Sequence, residues 1–301
     1  MIISASRRTD IPAYYSDWFF GRIREGFVLT RNPRNYHQVS KISLAIDDVD
    51  GIVFWTKNPS PMLARLNKLN DFMYYFQFTL TPYGKDIEPN LPSKNDFLIS
   101  TFKRLSAQIG EDRVIWRYDP VLINPKYTTE YHIRAFDKIA KELCGYTQKV
   151  IFSFVVPDYR GVKGNIKELG LSKFPDELKI MLASQLAQIA HGYGLSIAAC
   201  ALPFDLTQCG IEKARCVDSR LFSKLLGRDL VFRKDKNQRE ECGCAVSVDI
   251  GVYNTCKNGC RYCYANYSPG SICDNVSIHN PLSAFMIGES HSDDKIKARN
   301  L

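Results

Sequence analysis

Seven short runs of β-branched and aromatic residues recur along the chain, and segments with the period of an amphipathic helix separate most of them. Because strands and helices alternate, the pattern predicts an α/β fold with a mostly parallel sheet. The clearest helical segments are "AYYSDWFFGRIREG", "KNDFLISTFKRLSAQIG", "TTEYHIRAFDKIAKEL" and "PDELKIMLASQLAQIAHGYG". The predicted strands are "MIISAS" (1–6), "GIVFWT" (51–56), "MYYFQFTL" (73–80), "RVIWRY" (113–118), "KVIFSFVV" (149–156), "LSIAAC" (195–200) and "VSVDIGV" (246–252).

Near-continuous apolar strands are typical of a sheet that is buried on both faces, either a (β/α) barrel of the TIM type, partial or full, or an open doubly wound sheet. No GxGxxG follows any predicted strand, which disfavours the dinucleotide-binding version of the open sheet. We therefore predict a barrel, with residues 1–301 as a single domain and a cysteine-rich region at 200–273. Residues 275–301 are predicted to be a short tail that packs on the domain and frays at its end.

Charged residues follow several predicted strands, at the positions where a barrel collects its chemistry. Arg7, Arg8 and Asp10 come after the first strand, Lys57 after the second, and Arg117 at the end of the fourth. Caps and ion pairs at loop entrances would explain each of them equally well.

Ten cysteines occur in the chain, and all except Cys144 lie between residues 200 and 273. The N-terminus lacks the order of basic and apolar regions found in a signal peptide, and the longest apolar runs are too short to span a bilayer, so we expect a cytoplasmic protein without a membrane segment. Reduced, clustered thiols favour metal binding over disulfides. The net charge of +8 is scattered and interleaved with acids, so we interpret it mainly as a solvated surface, with nucleic acid as a less favoured partner.

Three cysteines, Cys256, Cys260 and Cys263, stand close together in "YNTCKNGCRYCYANY". A structural zinc site or a ferredoxin-type cluster needs four protein ligands, which this segment does not offer. Three thiolates can instead bind three irons of a cubane cluster, leaving the fourth iron open to another ligand. Gly259 allows a left-handed turn around such a cluster, and Tyr262 can cover it with an aromatic face. A zinc knuckle or a chance grouping of structural thiols is the alternative.

The segment "CKNGCRYC" resembles the CxxxCxφC signature of the radical S-adenosylmethionine (radical SAM) superfamily, and "YNTCKNGCRYCYA" is similar to its spore photoproduct lyase-type branch. The resemblance implies a 4Fe-4S cluster that binds S-adenosylmethionine (SAM) and cleaves it reductively to a 5′-deoxyadenosyl radical, which acts on an unknown substrate. It also implies a reducing partner such as flavodoxin or ferredoxin. SAM needs anion contacts, for which Arg7, Arg8, Lys57 and Arg117 are candidates, and Asp10 could hold a ribose hydroxyl or the amino group.

The position of the motif differs from that in typical superfamily members, where it follows the first barrel strand. Here it follows six other predicted strands, so the resemblance implies a circular permutation, with residues 246–252 in the place of the first strand and 1–6 in that of the second.

The chain as a whole resembles an uncharacterised bacterial family known as domain of unknown function 1848. The matching stretches are "ISASRRTDIPAYY", "FWTKNP", "WRYDPV" and "QREECGCAVSVDIGVYNTCKNGCRYCYANY". This resemblance supports the cofactor but names no substrate.

A second cysteine group is predicted from Cys200, Cys216, Cys242 and Cys244, with Cys209 as a spare. Cys242 and Cys244 stand two residues apart, so an extended backbone puts both on one face. The group is consistent with a second iron-sulfur cluster, a structural zinc or ordinary buried thiols. We interpret Cys144 and Cys273 as unrelated to either site.

Aromatic and histidine residues give weaker signals. Tyr14 and Tyr15, or Tyr264 and Tyr267, could relay a hydrogen atom, but aromatics are also ordinary core material. His132 and His191 are expected to be surface residues or to have satisfied hydrogen bonds. Two other functions stay open: an iron-sulfur electron carrier, and a zinc-stabilised nucleic-acid-binding protein.

Overall fold

The structure is a computed structural model that describes residues 1–299. Its strands are β1 (Ile2–Ala5), β2 (Phe27–Asn32), β3 (Asn35–Ser43), β4 (Gly51–Thr56), β5 (Tyr74–Thr79), β6 (Val114–Val121), β7 (Lys149–Phe154), β8 (Ser196–Ala199), β9 (Glu212–Lys213), β10 (Val248–Asp249) and β11 (Lys295–Ala298). Its α-helices are α1 (Ile11–Tyr14), α2 (Ser16–Glu25), α3 (Ser60–Leu63), α4 (Ile99–Ile109), α5 (Thr129–Leu143), α6 (Arg160–Gly164), α7 (Ile166–Leu169), α8 (Asp176–Gly192), α9 (Ser219–Leu226) and α10 (Pro269–Ser277).

The main sheet has eight parallel strands in the order β10-β1-β4-β5-β6-β7-β8-β9. All seven predicted strands are confirmed in it. Strand β9 was not predicted, because two residues are too few to display a period. Within the described residues no pairing joins the end strands β9 and β10, so the sheet is open there.

The strands are buried on both faces, as their near-continuous apolar sequences indicate. Alternate residues, such as Phe54, Phe76 and Trp116, pack into one core together with residues of the long helices α2, α4, α5 and α8. The residues between them, such as Val53 and Tyr75, face a second core. The four predicted helical segments therefore all lie on the same face of the sheet.

Two of the helical segments are interrupted. The first splits into α1 and α2 at Tyr15; Asp10 caps α1 by accepting from the Ala13 N–H at 3.1 Å, and Gly26 ends α2 in a left-handed conformation with φ of 75°. The second begins as a π-helical turn over Lys94–Leu98 and continues as α4. None of the helices in residues 1–299 combines the length and apolar character needed to cross a bilayer.

A separate three-stranded sheet was not predicted. Strands β2 and β3 pair antiparallel, and β11 from the end of the chain pairs parallel with β3. The start of β3 is exposed and polar, so it lacks the apolar alternation that would identify it. The predicted packing of the tail on the domain is confirmed by β11, and its predicted frayed end falls on residues 300–301, outside the described part of the chain.

The segment between β8 and β10 covers the second face of the main sheet. It contributes Phe222 on α9, which is fully buried, and all four cysteines of the second group. Gly51 makes this contact close, because a Cβ atom there would lie within 2.6 Å of Cδ1 of the Phe222 ring. The Phe222 ring therefore occupies the space that a side chain at position 51 would need.

Replacing Phe222 with Ala should lower the free energy of unfolding by about 3–5 kcal/mol, because it leaves a cavity against Gly51. Denaturant unfolding would measure it. The matched control is Val231→Ala, because Val231 is 95% exposed and should change the free energy by less than about 0.5 kcal/mol. Equal effects of the two substitutions would contradict the packing described here.

Candidate functional site

One cleft of about 550 Å³ lies beside the carboxyl ends of the main-sheet strands, and every predicted site residue lines it. Cys144 and Cys273, which we interpreted as unrelated, are exposed and lie elsewhere, and Cys209, the spare of the second group, ends a 3-10 turn and does not line the cleft. The residues in the walls of the cleft are Arg7, Arg8, Asp10, Lys57, Arg117, Tyr262, Cys256, Cys260, Cys263, Cys200, Cys216, Cys242 and Cys244.

Asp10 anchors the three-cysteine loop from the end of β1. Its carboxylate accepts from the Lys57 N–H at 2.8 Å and from Asn258 Nδ2 at 3.1 Å, besides capping α1. The Asn258 Oδ1 in turn accepts from the Tyr14 hydroxyl at 2.7 Å. Burial raises the pKa of Asp10, although these hydrogen bonds oppose the shift. Asp10 is thus engaged within the chain, as is Tyr14.

The turn at Gly259 fits against the loop that follows β5. Gly259 has φ of +69°, which confirms the predicted left-handed turn, and a Cβ atom there would lie 2.9 Å from Asn90 Nδ2. Asn90 Nδ2 also donates to the Lys257 carbonyl at 2.8 Å. A side chain at position 259 would therefore push the cysteine loop away from its support.

Helix α6 supports the other end of the loop. The carbonyl of Cys263 approaches Gly161 so closely that a Cβ atom there would clash with it. Asn165 Nδ2 donates to the Arg261 carbonyl at 2.8 Å, and Asn266 Nδ2 donates to the Cys256 carbonyl at 2.6 Å. The backbone between the cysteines is thus fixed at both ends.

The three thiols of the loop are buried or half-buried. Burial raises the pKa of Cys256, Cys260 and Cys263 above the ordinary thiol value. A thiolate in these surroundings needs positive charge close by, which a bound metal supplies.

A buried carboxylate, Glu88, is the main site residue that the sequence did not reveal. Its Oε1 accepts from Lys57 Nζ at 2.7 Å, from Thr81 Oγ1 at 2.8 Å and from the Tyr262 hydroxyl, and its Oε2 lies 2.6 Å from Lys94 Nζ. Burial by itself would raise the pKa of Glu88. The positive charges of Lys57 and Lys94 lower it by more, so the pKa is about 2. The loop "TPYGKDIEPN" carries no motif that would single out this glutamate.

The Glu88 contacts define the roles of two predicted residues. The ammonium group of Lys57 pairs with Glu88 and lies 5.5 Å from the centre of the Tyr262 ring. Burial by itself would lower the pKa of Lys57, but the negative charges of Glu88 and Cys260 raise it by more, so the pKa lies above its ordinary value. Tyr262 directs its hydroxyl to Glu88, so its ring is held in a fixed position beside Cys263.

The second cysteine group is assembled from three parts of the chain. The sulfur atoms of Cys200 and Cys216 are 3.6 Å apart, and Arg117 Nη1 donates to the Cys216 sulfur at 2.9 Å. Cys244 accepts from the Val217 N–H at 3.4 Å. Arg117 therefore contacts this group directly.

Strand β5 holds the backbone of the second group. The Cys216 carbonyl accepts from the Tyr75 hydroxyl and from Gln77 Nε2, both at 2.8 Å. Hydrogen bonds from the Cys216 and Cys242 thiols lower the pKa of Cys244, and the neighbouring Cys216 lowers the pKa of Cys200.

Arg7 lies between the two cysteine groups. Its carbonyl accepts from the Tyr264 hydroxyl at 2.7 Å, and its guanidinium lies 5.4 Å from the centre of the Trp55 ring. Burial by itself would lower the pKa of Arg7, but the negative charges of Cys244 and Asp249 raise it by more, so the pKa lies above its ordinary value. Within residues 1–299 its buried Nη2 has no hydrogen-bond partner.

The neighbouring Arg8 is less buried. It donates from Nη1 to the Gly251 carbonyl at 3.2 Å and lies 5.0 Å from the centre of the Tyr253 ring. Its contacts leave part of the guanidinium facing the cleft.

The remaining candidates are largely structural. The buried Tyr15 donates to the Thr255 carbonyl at 2.6 Å. Tyr264 and Tyr267, which follow the third cysteine of the loop, are partly exposed. His132 is fully buried, and its nitrogens lie 2.7 Å from the Tyr118 hydroxyl and 2.8 Å from the Leu122 carbonyl, which confirms the expectation of a satisfied histidine.

The model of one protein family, described as domain of unknown function (DUF1848), matches residues 2–265. Among curated proteins none matches this chain. The matched range contains the whole main sheet and both cysteine groups, and it ends before α10 and β11.

Replacing Glu88 with Gln should destabilise the protein by about 3–5 kcal/mol, because Lys57 and Lys94 would be left buried without a counter-charge. The low pKa in the folded state means that the carboxylate contributes fully above its unfolded pKa of about 4.3, and that the contribution is lost as pH falls toward 2. Unfolding free energies measured between pH 7 and pH 3 should therefore fall less steeply in the variant than in the wild type. The control Glu168→Gln breaks a half-exposed pair with Arg261 and should cost less than about 1 kcal/mol; parallel pH profiles for wild type and Glu88→Gln would refute the assignment.

Proposed function

The chain belongs to the DUF1848 family, and on that premise we propose that it is a cytoplasmic radical SAM enzyme whose Cys256, Cys260 and Cys263 hold a 4Fe-4S cluster. When bound, the cluster supplies the electron that cleaves SAM and yields a 5′-deoxyadenosyl radical for an unknown substrate. The observation that carries the proposal is that three thiols of one loop and the flanking cations line a single cleft at the carboxyl ends of parallel strands. A reductant such as flavodoxin or ferredoxin is part of the same proposal.

The spacing of the thiols supports a cluster over a single zinc ion. The ligand sulfurs around one tetrahedral zinc lie about 3.8 Å apart, given a zinc–sulfur bond of about 2.3 Å. Among the described residues, the only trio of His, Cys, Asp or Glu ligand atoms within 4.8 Å of one another is His37, Asp293 and Asp294, so the three sulfurs are spread more widely than that. A group of several metal atoms can bridge the larger separation.

The cleft has the size and the donors that SAM requires. Its volume of about 550 Å³ falls within the usual range for small-molecule sites. Asp10 and Lys57 are occupied within the chain, so the SAM carboxylate falls to Arg7, with its unpartnered Nη2, and to Arg8. The buried trio of Lys57, Glu88 and Tyr262 holds the loop in place.

The sheet topology supports a permuted partial barrel. The long helices pack on one face only, as in a barrel, whereas a doubly wound sheet carries helices on both faces. Strand β10, which leads into the cysteine loop, stands at the end of the sheet beside β1. This order is the one expected if β10 replaces the usual first strand and β1 the second.

For the second group we propose a second iron-sulfur cluster held by Cys200, Cys216, Cys242 and Cys244. Arg117 would offset part of the negative charge of four thiolates, and all four cysteines line the same cleft. A zinc ion at these residues is the alternative that the metal analysis below distinguishes.

Anaerobic reconstitution should give a brown protein with about eight irons per chain that cleaves SAM reductively to 5′-deoxyadenosine. Cys260→Ala should lose the cleavage and the SAM-dependent spectroscopic signal while it retains the second cluster, because Cys260 belongs to the three-cysteine loop alone. Cys273→Ala is the matched control, since that thiol is exposed and outside the cleft, and it should behave as wild type. Full cleavage by Cys260→Ala would overturn the assignment, and iron in the wild type without cleavage would favour an electron carrier.

The double substitution Cys242→Ala, Cys244→Ala should remove about half of the iron if the second group holds a cluster of the same size. Iron and zinc would both be counted after reconstitution. Unchanged iron with loss of zinc would identify a structural zinc site, and unchanged content of both metals would mean that these cysteines are not ligands.

A further inference from the structure

A second cavity, of about 820 Å³, adjoins the cysteine cleft, and apart from Arg7 and Arg8 its lining residues have no role in the function proposed above. One wall is formed by the β2–β3 hairpin and β11, the small sheet that the sequence did not reveal. The other wall is formed by the residues after β1 and around β10. The family match ends at residue 265, so β11 lies outside the matched range.

The walls of this cavity are strongly basic. Six cations line it, against the two carboxylates of Asp235 and Asp249. Arg31 is occupied by an ion pair with Asp294, but the exposed Arg34 and Lys297 form no ion pair within residues 1–299. The six cations are Arg7, Arg8, Arg31, Arg34, Lys297 and Arg299.

The two carboxylates are engaged by neighbouring groups of the chain. Asp249 accepts from the hydroxyls of Ser4 at 2.9 Å and Ser6 at 2.6 Å, and from the Arg7 N–H at 2.8 Å. Asp235 accepts from the Asn237 N–H at 2.9 Å. Arg8 Nε lies 3.9 Å from Asp249, so Arg8 and Arg31 are each paired with an acid, whereas Arg7, Arg34, Lys297 and Arg299 form no ion pair within residues 1–299.

The buried Ser247 Oγ in the wall lacks a partner in the described part of the chain; Arg7 Nη2 lacks one too, but Arg7 also lines the cysteine cleft, where it is the proposed contact of the SAM carboxylate. A buried donor without a partner is unfavourable, and a ligand in the cavity would satisfy the Ser247 hydroxyl. A hydroxyl donates hydrogen bonds of the kind that anionic oxygens accept.

The basic cavity and the cysteine cleft lie side by side. Both are lined by Arg7, Arg8, Tyr253 and Tyr264. The guanidinium of Arg8 already lies over the Tyr253 ring, and the Tyr264 side chain is 42% exposed. A flat aromatic ring of a ligand could stack at this junction, as bases do on tyrosines in single-stranded nucleic-acid sites.

We propose that this cavity binds the phosphate groups of a nucleotide substrate and directs its base or sugar into the cysteine cleft. The proposal rests on the radical SAM function proposed above, for which it names the substrate class. Several cations on separate elements suit a multiply charged phosphate better than a single carboxylate. A free nucleotide and a nucleotide within a strand share this phosphate chemistry, and the test below distinguishes the two sources.

The test is calorimetric titration of the reconstituted protein with thymidine monophosphate, with a thymidine strand of about ten nucleotides, and with thymidine, which lacks phosphate. We expect the phosphorylated ligands to bind at low salt and to weaken as salt rises, and thymidine not to bind. The variant Arg34→Gln, Lys297→Gln should bind at least about tenfold more weakly, since it loses two charge-assisted contacts. The matched control Arg134→Gln, Lys138→Gln removes the same two residue types from the exposed face of α5 and should bind as wild type.

The outcomes distinguish a free nucleotide from one within a strand, and they distinguish failure of the phosphate site from failure of the radical SAM function. Equal binding of monophosphate and strand supports a free nucleotide, and much tighter, more salt-sensitive binding of the strand supports a nucleic acid. Retention of binding by Lys297→Arg would show that charge, not folding, is responsible. Failure of both phosphorylated ligands to bind, or equal losses in the cavity and control variants, would overturn the proposal. SAM cleavage without phosphate binding would reject the phosphate site but not the radical SAM function. Phosphate binding without SAM cleavage would keep the phosphate site but reject the radical SAM function, and with it the role of the nucleotide as substrate.

Discussion

The parallel pairing of β10 with β1 is the interaction on which the rest of the site depends. It joins Ile3 to Val248 and Ser4 to Asp249, residues far apart in the chain, and Asp249 reinforces it by accepting from Ser4, Ser6 and the Arg7 N–H. This pairing brings the three-cysteine loop over the ends of β1 and β4. Every contact of the loop with Asp10, Lys57 and Glu88 follows from it.

The charged residues of the cleft divide into two groups by their partners. Lys57, Lys94 and Glu88 neutralise one another in the interior, and Asp10 accepts hydrogen bonds from its neighbours, so these residues hold the loop in place. Arg117 pairs with Asp119 and donates to the Cys216 sulfur, whereas the buried Nη2 of Arg7 has no partner within residues 1–299. Most charged residues at the strand ends therefore serve structure, and Arg7 is the one that keeps a buried donor for a ligand.

The sequence was sufficient to predict seven of the eight strands of the main sheet and to name cysteines and charged residues that meet in one cleft, because buried parallel strands and closely spaced cysteines leave strong local patterns. It could not reveal Glu88, whose importance arises only when a loop brings it to Lys57 and Tyr262. Nor could it show that Arg117 lies against Cys216, a contact between residues 99 positions apart. The small sheet escaped prediction because β3 is polar at its start and its third strand comes from the far end of the chain.

The position of β10 late in the chain has a consequence for biosynthesis. Chains fold from the N-terminus as they leave the ribosome, so the strands from β1 to β8, with Asp10, Lys57 and Glu88, are synthesised before Cys256, Cys260 and Cys263 emerge. The pocket that receives the cysteine loop is thus made first, and the loop is added to it last. Delivery of the proposed cluster to Cys256, Cys260 and Cys263 would then be a late event in the maturation of the protein.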